Sequence, residues 1–209
     1  MKIQIFILGA TQTNSYLVWQ NNSGIVIDPG EHPDLILEFI TKNNINLEYV
    51  INTHGHFDHI IGNNFLISKT GAKLVVNRED TSMLLDPFYN LSAYMDKPFY
   101  SFKPDVEVKD GDKIDSSYKE FSFIHTPGHT PGSTCIYLPD DNIVFVGDTI
   151  FKFSYGRTDL PGGNERDLRN SIKRLLSILK DDDLCLPGHG ESFRFGEVRK
   201  WLENLLGEY

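Results

Sequence analysis

The sequence has little cysteine, no long apolar run and fewer basic than acidic side chains. Its two cysteines are too few for a disulfide framework in a chain of this length. No apolar run approaches the roughly 18 residues that a membrane-spanning helix needs. With 20 Lys and Arg against 29 Asp and Glu, the net charge is −9, which disfavours general binding to nucleic-acid phosphates. These shortages exclude a disulfide scaffold, a helical membrane protein and a general nucleic-acid binder.

The remaining composition is that of an ordinary globular chain, with 40% hydrophobic and 23% charged residues among 209. This length predicts one domain, residues 1–209. The apolar stretch within residues 1–8 is too short for a signal peptide, and no small-residue cleavage site follows it. We therefore expect a cytoplasmic protein without a nucleic-acid or membrane partner.

Short apolar runs alternate along the chain with helical patterns. The runs predict strands at 2–8, 14–19, 24–28, 49–51, 73–76, 106–108, 119–124, 134–138, 143–146 and 184–186. Apolar residues at helical spacing predict helices that begin near Pro33, run over 59–68, and cover 168–179 and 198–206. Strands followed by helices, twice over, predict an α/β fold in which two sheets pack face to face with helices on both outer sides.

Residues 86–104 lack a regular pattern and are rich in Phe and Tyr. They could form a connection packed on the surface, an aromatic lid or pocket wall, or a contact in a homodimer. Long connections without secondary structure are often functional, so all three interpretations stay open.

The chain's densest group of chemically active side chains follows the predicted strand 49–51. His54, His56, Asp58 and His59 are residue types that bind zinc, iron or manganese. In extended backbone His54 and His56 point the same way, whereas Asp58 and His59 lie past the turn and can face a second ion. The alternative is a polar loop at a sheet edge, which so many ligand-type residues in so short a span disfavour.

Three further candidates, His129, Asp148 and His189, each follow a predicted strand. Singly each is weak, because a lone histidine is more often structural and a Gly-Asp pair after a strand often forms a turn. Together with the first group they make a set too large for one tetrahedral ion. Such a set suits two ions that share a bridging ligand.

This arrangement resembles the metallo-β-lactamase superfamily, whose signature is H-x-H-x-D-H followed by a distant His, Asp and His. The resemblance extends over residues 28–189. Within the superfamily the chain is most similar to the glyoxalase II group and its short bacterial relatives. That similarity rests on Gly62-Asn63 and on Gly156-Arg157-Thr158-Asp159-Leu160-Pro161-Gly162-Gly163. It implies a four-layer αββα sandwich of two mixed β-sheets flanked by helices, without the C-terminal helical domain of the larger glyoxalase II enzymes.

The resemblance also implies a role for each candidate ligand. Two divalent metal ions would be held, the first by His54, His56 and His129, the second by Asp58, His59 and His189, and both by Asp148. A hydroxide in the other bridging position would attack the substrate, which makes Asp58 and Asp148 the catalytic carboxylates. Zinc is the first expectation for the metal, and iron or manganese would suit the same ligands.

Five other residues receive expectations. By resemblance, Arg157 would contact the glutathione part of a substrate, and the alternative is a structural salt bridge. Asp28 matches the family's first motif and, with Thr53, would orient the ligands, although a plain turn-forming Asp is nearly as good an interpretation. Cys135 lies in an apolar run and is predicted to be a buried core residue, as is Cys185.

These residues leave three alternative functions to be tested. The first is a binuclear metallohydrolase of a small-molecule thioester, S-lactoylglutathione or a related hydroxyacyl thioester. The second is a mononuclear iron glutathione-persulfide dioxygenase, whose iron would use residues matching His54, His129 and Asp148. Pro187-Gly188-His189-Gly190 departs from that group's usual Ala before His and Asp after it, and favours the hydrolase. The third is a metal-stabilised binding protein without turnover. Asp148 argues against a true zinc β-lactamase, and His56 against a diiron flavoprotein.

Overall fold

A computed structural model describes residues 1–207 and contains two six-stranded sheets packed face to face. The strands in this range are β1 (Lys2–Leu8), β2 (Thr13–Gln20), β3 (Ser23–Ile27), β4 (Asn46–Ile51), β5 (Lys73–Asn77), β6 (Val106–Val108), β7 (Lys113–Asp115), β8 (Glu120–His125), β9 (Thr134–Leu138), β10 (Ile143–Gly147), β11 (Ile150–Phe151), β12 (Ser154–Tyr155), β13 (Leu184–Pro187) and β14 (Phe193–Arg194). The helices are α1 (Pro33–Lys42), α2 (Phe57–Ile60), α3 (Asn63–Thr70), α4 (Thr81–Leu85), α5 (Glu165–Ile178) and α6 (Phe195–Gly207).

Both sheets are mixed. The first has the order β1-β2-β3-β4-β5-β6, antiparallel through β3 and parallel from β3 onward. The second has the order β14-β13-β10-β9-β8-β7, with β10 and β13 parallel and the other neighbours antiparallel. Strands β11 and β12 pair as a separate hairpin. The predicted α/β sandwich of two mixed sheets flanked by helices is confirmed.

Alternating side chains divide the core into three apolar layers. On β2, Tyr16 and Val18 are buried between the two sheets, whereas Leu17 is buried with residues of α1 and α3. This alternation is the two-residue period of a strand covered on both faces. A third cluster packs Leu168 and Leu175 of α5 and Val198 of α6 against the second sheet. The sandwich therefore holds the carboxyl ends of its central strands in fixed relative positions.

The structure corrects the prediction of one helix over 59–68. Helix α2 ends at Ile60 and α3 begins at Asn63. Gly62 lies in the break, and its amide donates to the carbonyl of Pro29 at 2.9 Å. A Cβ at Gly62 would stand 2.7 Å from that carbonyl oxygen, so the chain can approach so closely only at glycine.

Residues 86–104 are an anchored connection that exposes several aromatic side chains. The amide of Phe57 in α2 donates to the carbonyl of Asn90 at 2.8 Å. Asn64 of α3 donates to the carbonyl of Tyr100 at 2.8 Å and accepts from the amide of Phe102 at 2.7 Å. The rings of Tyr94 and Tyr100 remain mostly exposed. The aromatic stretch is thus fixed to α2, which carries Asp58 and His59, and to α3, the next helix.

Both cysteines are free and buried, as predicted for core residues. Burial raises the pKa of the Cys135 thiol to about 11, although its hydrogen bonds with Thr126 and Thr149 oppose the rise. Burial also raises the pKa of the Cys185 thiol. Neither thiol therefore forms a reactive thiolate at neutral pH. Within residues 1–207, the helices all lack the length or the hydropathy needed to cross a bilayer.

Candidate metal centre

The candidate ligands follow four strands that end at the same side of the sandwich. His54 and His56 lie just after β4, and Asp58 and His59 lie in α2 directly beyond. In the second sheet, the remaining three candidates follow the carboxyl ends of their strands: His129 after β8, Asp148 after β10 and His189 after β13. Crossovers between parallel strands bring such ends together, which is where open α/β sheets place their sites.

Three groups of three potential ligand atoms result, and two of them match the sets predicted for the two ions; the third joins Asp28 to His54 and His59. The nitrogens of His54, His56 and His129 lie within 4.8 Å of one another, and so do the ligand atoms of Asp58, His59 and His189. In the first group, His56 Nδ1 and His129 Nε2 are 2.9 Å apart. In the second, His59 Nε2 and His189 Nε2 are 3.3 Å apart. The structure thus brings together the residues that the sequence predicts for each ion.

Asp148 lies between the two groups. Its Oδ2 is 3.6 Å from His129 Nε2 and 3.5 Å from His189 Nε2. Its Oδ1 is 3.6 Å from His59 Nε2. One carboxylate therefore reaches nitrogens of both groups, as a bridging ligand must.

Hydrogen bonds behind the cluster fix which nitrogen of each ring faces it. His129 Nδ1 is 2.8 Å from the carbonyl oxygen of Arg157, and His189 Nδ1 is 3.1 Å from that of Thr11. A carbonyl oxygen only accepts, so both Nδ1 atoms carry protons and donate. The Nε2 atoms of His129 and His189 therefore keep lone pairs directed into the cluster.

Asp28 and Thr53 orient one histidine from each group. Asp28 accepts from the Thr53 amide at 2.7 Å, from the Thr53 hydroxyl at 2.6 Å and from His59 Nδ1 at 3.0 Å. The Thr53 hydroxyl, having given its proton to Asp28, can accept from His54 Nδ1 at 3.1 Å. This is the arrangement in which a carboxylate behind a ligating histidine sets its tautomer and direction.

Replacing Asp28 with Asn is expected to weaken metal binding by about 10- to 100-fold, because the amide cannot accept from all three donors. Titration against a competing chelator measures the affinity. Asp34→Asn, at an exposed aspartate in the first turn of α1, is the matched control and should bind as the wild type does. An Asp28→Asn affinity within twofold of the control would show that Asp28 has no part in orienting the ligands.

Two histidines of the first group favour the neutral form. Burial lowers the pKa of His54 well below its usual value, and the neighbouring histidines lower it further. Burial and His129 likewise lower the pKa of His56, with Asp58 opposing them. Neutral imidazoles offer the lone pairs that a metal ion needs.

The second group favours positive charge. Burial works to lower the pKa of His59, but the carboxylates of Asp58, Asp148 and Asp28 outweigh it and raise the pKa to about 10. Burial works to raise the pKa of Asp58, but His59 and His189 hold it well below its usual range. Carboxylates thus concentrate negative charge in a buried place, and a divalent cation would neutralise it.

Unpartnered atoms fit the same interpretation. Three buried atoms of the cluster have no hydrogen-bond partner within residues 1–207: His54 Nε2, His56 Nε2 and Asp148 Oδ1. Buried polar atoms are nearly always paired, and unpaired ones commonly indicate an ion or water. Solvent reaches the cluster at His189, whose side chain is 29% exposed while that of His59 is fully buried. A donor set of imidazoles and carboxylates, open at one side, fits divalent metal ions with room for a substrate.

The Arg157 side chain makes a salt bridge, the alternative to substrate contact that the sequence left open. Its backbone carbonyl accepts from His129, while its exposed guanidinium makes a two-bonded pair with Asp159, Nε to Oδ1 and Nη2 to Oδ2 at 2.7 Å each. The backbone thus contributes to the cluster directly. The side chain is already paired, so its contact with a substrate stays a prediction.

Sequence reasoning missed the side chains that support the ligand loops. The Thr13 hydroxyl donates to Asp58 at 3.0 Å, and the Tyr16 hydroxyl donates to the carbonyl of Pro187 at 2.6 Å. The side-chain amide of Asn14 donates to the carbonyl of Pro187 at 3.0 Å. These residues begin β2, far from the motifs in sequence. Asp80 was missed too, although it follows β5 just as the predicted ligands follow their strands.

The comparison with known families decides the relationship. A model described as the metallo-beta-lactamase superfamily matches residues 8–189. The chain belongs to this superfamily. An uncharacterized protein from Aquifex aeolicus is 35% identical over 95% of this chain and 94% of its own. The hydroxyacylglutathione hydrolase GloC from Haemophilus influenzae is 29% identical and is covered over 96% of both chains. Relatives named as hydrolases confirm the predicted resemblance.

Solved structures of the superfamily superpose closely. The B3 metallo-beta-lactamase BLEG-1 gives a TM-score of 0.90 at 28% identity, over 95% of this chain and 97% of its own. TTHA1623 in a di-iron-bound form gives 0.81 at 30% identity, over 93% and 96%. ETHE1 from Myxococcus xanthus gives 0.83 at 26% identity, over 100% and 86%. A superfamily fold that carries two irons in one neighbour is compatible with the two ligand groups seen here.

Proposed function

We propose that this superfamily member hydrolyses thioesters with two divalent metal ions per chain, acting on S-lactoylglutathione or a related hydroxyacyl thioester. The position of Asp148 carries the proposal, because its carboxylate reaches nitrogens of both ligand groups. The similarity to a hydroxyacylglutathione hydrolase over 96% of each chain supports it. We expect the protein to act on this small-molecule substrate in the cytoplasm.

The residues would divide as the two groups do. His54, His56 and His129 would hold one ion, Asp58, His59 and His189 the other, and Asp148 both. Zinc suits this donor set, as do iron and manganese. When bound, two such ions would supply a nucleophile from water at neutral pH and a positive charge to polarise the substrate carbonyl.

Neither the hydroxyls of Thr53 and Thr13 nor the thiol of Cys135 is suited to act as the nucleophile. The Thr53 hydroxyl donates to Asp28, and the Thr13 hydroxyl donates to Asp58. The Cys135 thiol is fully buried, and burial raises its pKa to about 11. Attack by water therefore fits the site better than a covalent intermediate on any of these side chains.

A thioester suits this site because of its leaving group. A thiol of pKa about 8.5 departs as a thiolate without a strong acid to protonate it. The mouth of the cluster lies at the half-buried His189, where the Phe151 ring stands 6.3 Å from the imidazole. This ring offers an apolar surface for the acyl or thiol part of the substrate.

The Arg157–Asp159 pair gives the glutathione part of a substrate little to bind. Asp159 already accepts from two guanidinium nitrogens of Arg157, so a substrate carboxylate would have to displace Asp159. Exposed ion pairs contribute only about 0–1 kcal/mol, so such an exchange gains little. We expect kcat/KM for S-lactoylglutathione to be within about tenfold of that for a lactoyl thioester of N-acetylcysteamine, which lacks the carboxylates.

Assays on one metal-loaded preparation test the proposal. Hydrolysis of S-lactoylglutathione is expected, with no oxygen uptake from glutathione persulfide and no opening of a β-lactam. Removal of the metals with a chelator should abolish hydrolysis, and zinc should restore it. Turnover that survives complete metal removal would contradict the proposal.

The persulfide dioxygenase is the second candidate, favoured by the similarity to ETHE1 from Myxococcus xanthus. It would need one iron at His54, His129 and Asp148. Oxygen uptake with glutathione persulfide, without thioester cleavage, would establish it instead of the hydrolase. Metal binding that stabilises the fold while none of these substrates reacts would favour a non-catalytic protein.

A further inference from the structure

Asp80 is a fully buried carboxylate outside the two ligand groups. It follows β5 in a short 3-10 turn, Arg78–Asp80. Three donors surround it: Oδ2 accepts from the Gly55 amide at 2.9 Å and from the Thr130 hydroxyl at 2.7 Å, and Oδ1 accepts from the Gly132 amide at 2.5 Å. Each donor lies in a loop that carries ligands.

These donors belong to two loops from different sheets. Gly55 stands between His54 and His56, after β4 of the first sheet. Thr130 and Gly132 follow His129, after β8 of the second sheet. Asp80 therefore ties the loop of the first histidine motif to the loop of His129.

We propose that Asp80 is a positioning residue, which sets the separation of His56 and His129 and so the geometry of the first metal group. The inference rests on the proposed metal binding but not on the identity of the substrate. His56 Nδ1 and His129 Nε2 are 2.9 Å apart, at the point where the two loops meet. One backbone hydrogen bond, from the Thr134 amide to the Thr53 carbonyl at 2.9 Å, also joins these segments, and the Asp80 carboxylate adds three more, since it has up to four acceptor sites.

The packing around Asp80 leaves little freedom. A Cβ at Gly132 would stand 2.6 Å from the Asp80 amide nitrogen, and one at Gly55 would stand 2.8 Å from Met83 Cβ. The loop of His129 thus approaches the turn of Asp80, and the loop of His54 approaches the helix α4 that follows it, as closely as glycine permits. Because these contacts are so close, a displacement of the Asp80 carboxylate is expected to displace both loops as well.

The cost of burying Asp80 supports a specific role. Burial raises its pKa to about 6, even though the hydrogen bonds from Thr130, Gly132 and Gly55 oppose the rise. An apolar side chain would fill this place without that cost. What an apolar side chain cannot do is accept hydrogen bonds from both loops.

Asp80→Asn tests the inference, with Asp183→Asn as the matched control. Asp183 is also fully buried and accepts from the Tyr137 hydroxyl at 3.0 Å and the Lys180 amide at 2.8 Å. It lies before β13, at the opposite end of that strand from His189. Both variants lose hydrogen bonds to a buried carboxylate, but only Asp80 touches the ligand loops.

The readout is the rate at which zinc-loaded protein releases metal to a chelator, beside the melting temperature of the metal-free protein. Asp80→Asn is expected to release metal about 10- to 100-fold faster than wild type. Asp183→Asn is expected to lower the melting temperature yet release metal within twofold of wild type. Equal release rates in the two variants would overturn the inference.

Thr130 provides a second test in case Asp80→Asn does not fold. Thr130→Val keeps the shape but loses the hydroxyl donor, whereas Thr130→Ser keeps the donor. Faster release from the Val variant and wild-type release from the Ser variant are expected, and equal release from both would contradict the role. Metal release needs no substrate, so this result is independent of whether thioesters are hydrolysed.

Discussion

Replacing Asp148 with Asn is expected to lower kcat for thioester hydrolysis by at least about 100-fold, more than the loss of a group that merely orients a ligand. The amide keeps the side chain's shape but removes the charge that lies 3.5–3.6 Å from His129 Nε2 and His189 Nε2. The amide of the variant has one NH₂ group and one carbonyl oxygen. One ligand group would therefore face a hydrogen-bond donor or an acceptor weaker than a carboxylate. The second ion should therefore be bound less tightly as well.

Steady-state kinetics and metal content, measured on the same sample, check this prediction. Asp140→Asn is the control, because Asp140 is highly exposed and precedes the same strand, β10. It should change neither quantity. Wild-type turnover in Asp148→Asn would show that hydrolysis does not need a bridging carboxylate at this position.

Gly188→Ala is expected to cost at least about 100-fold in activity, because displacing reacting groups by about 1 Å has effects of that size. The new Cβ would overlap Asp148 Oδ1 and stand 2.6 Å from His59 Cε1. Gly188 does not have a positive φ, so alanine suits its backbone and the effect is steric. Both contacts are with candidate ligands, so metal content should fall together with activity.

Gly190→Ala separates this steric effect from backbone strain. Gly190 has φ +76°, but a Cβ there would meet nothing within 4 Å. We expect it to cost about 1–2 kcal/mol of stability from the left-handed backbone while retaining the metals. If Gly188→Ala kept its metals and Gly190→Ala lost them, loop conformation rather than space beside Asp148 would control the site.

The sequence was sufficient to find the clustered candidate ligands because their chemistry is rare and local. His54, His56, Asp58 and His59 lie in one short segment, and few interpretations other than a metal site use such residues together. The strands and helices with strong periodicity were predicted near their observed bounds. Helix α5, for example, occupies Glu165–Ile178 against a predicted 168–179.

What the sequence could not reveal depends on distant contacts. The two-residue strands β11, β12 and β14 are too short for any periodicity. The break at Gly62 is set by the carbonyl of Pro29, which only the folded chain brings near. Asp80 was missed for the same reason, since its partners Gly55 and Thr130 are joined to it by the packing of two sheets.

The number of metal ions bound per chain tests the central claim most directly. We would measure it by elemental analysis on wild type and on His189→Ala, each loaded with zinc or iron and freed of excess ion. The account predicts about two ions in wild type and about one in His189→Ala, since one group of three and the bridge remain. One iron in both proteins would contradict it, because His189 would then hold no metal and the binuclear centre would not exist.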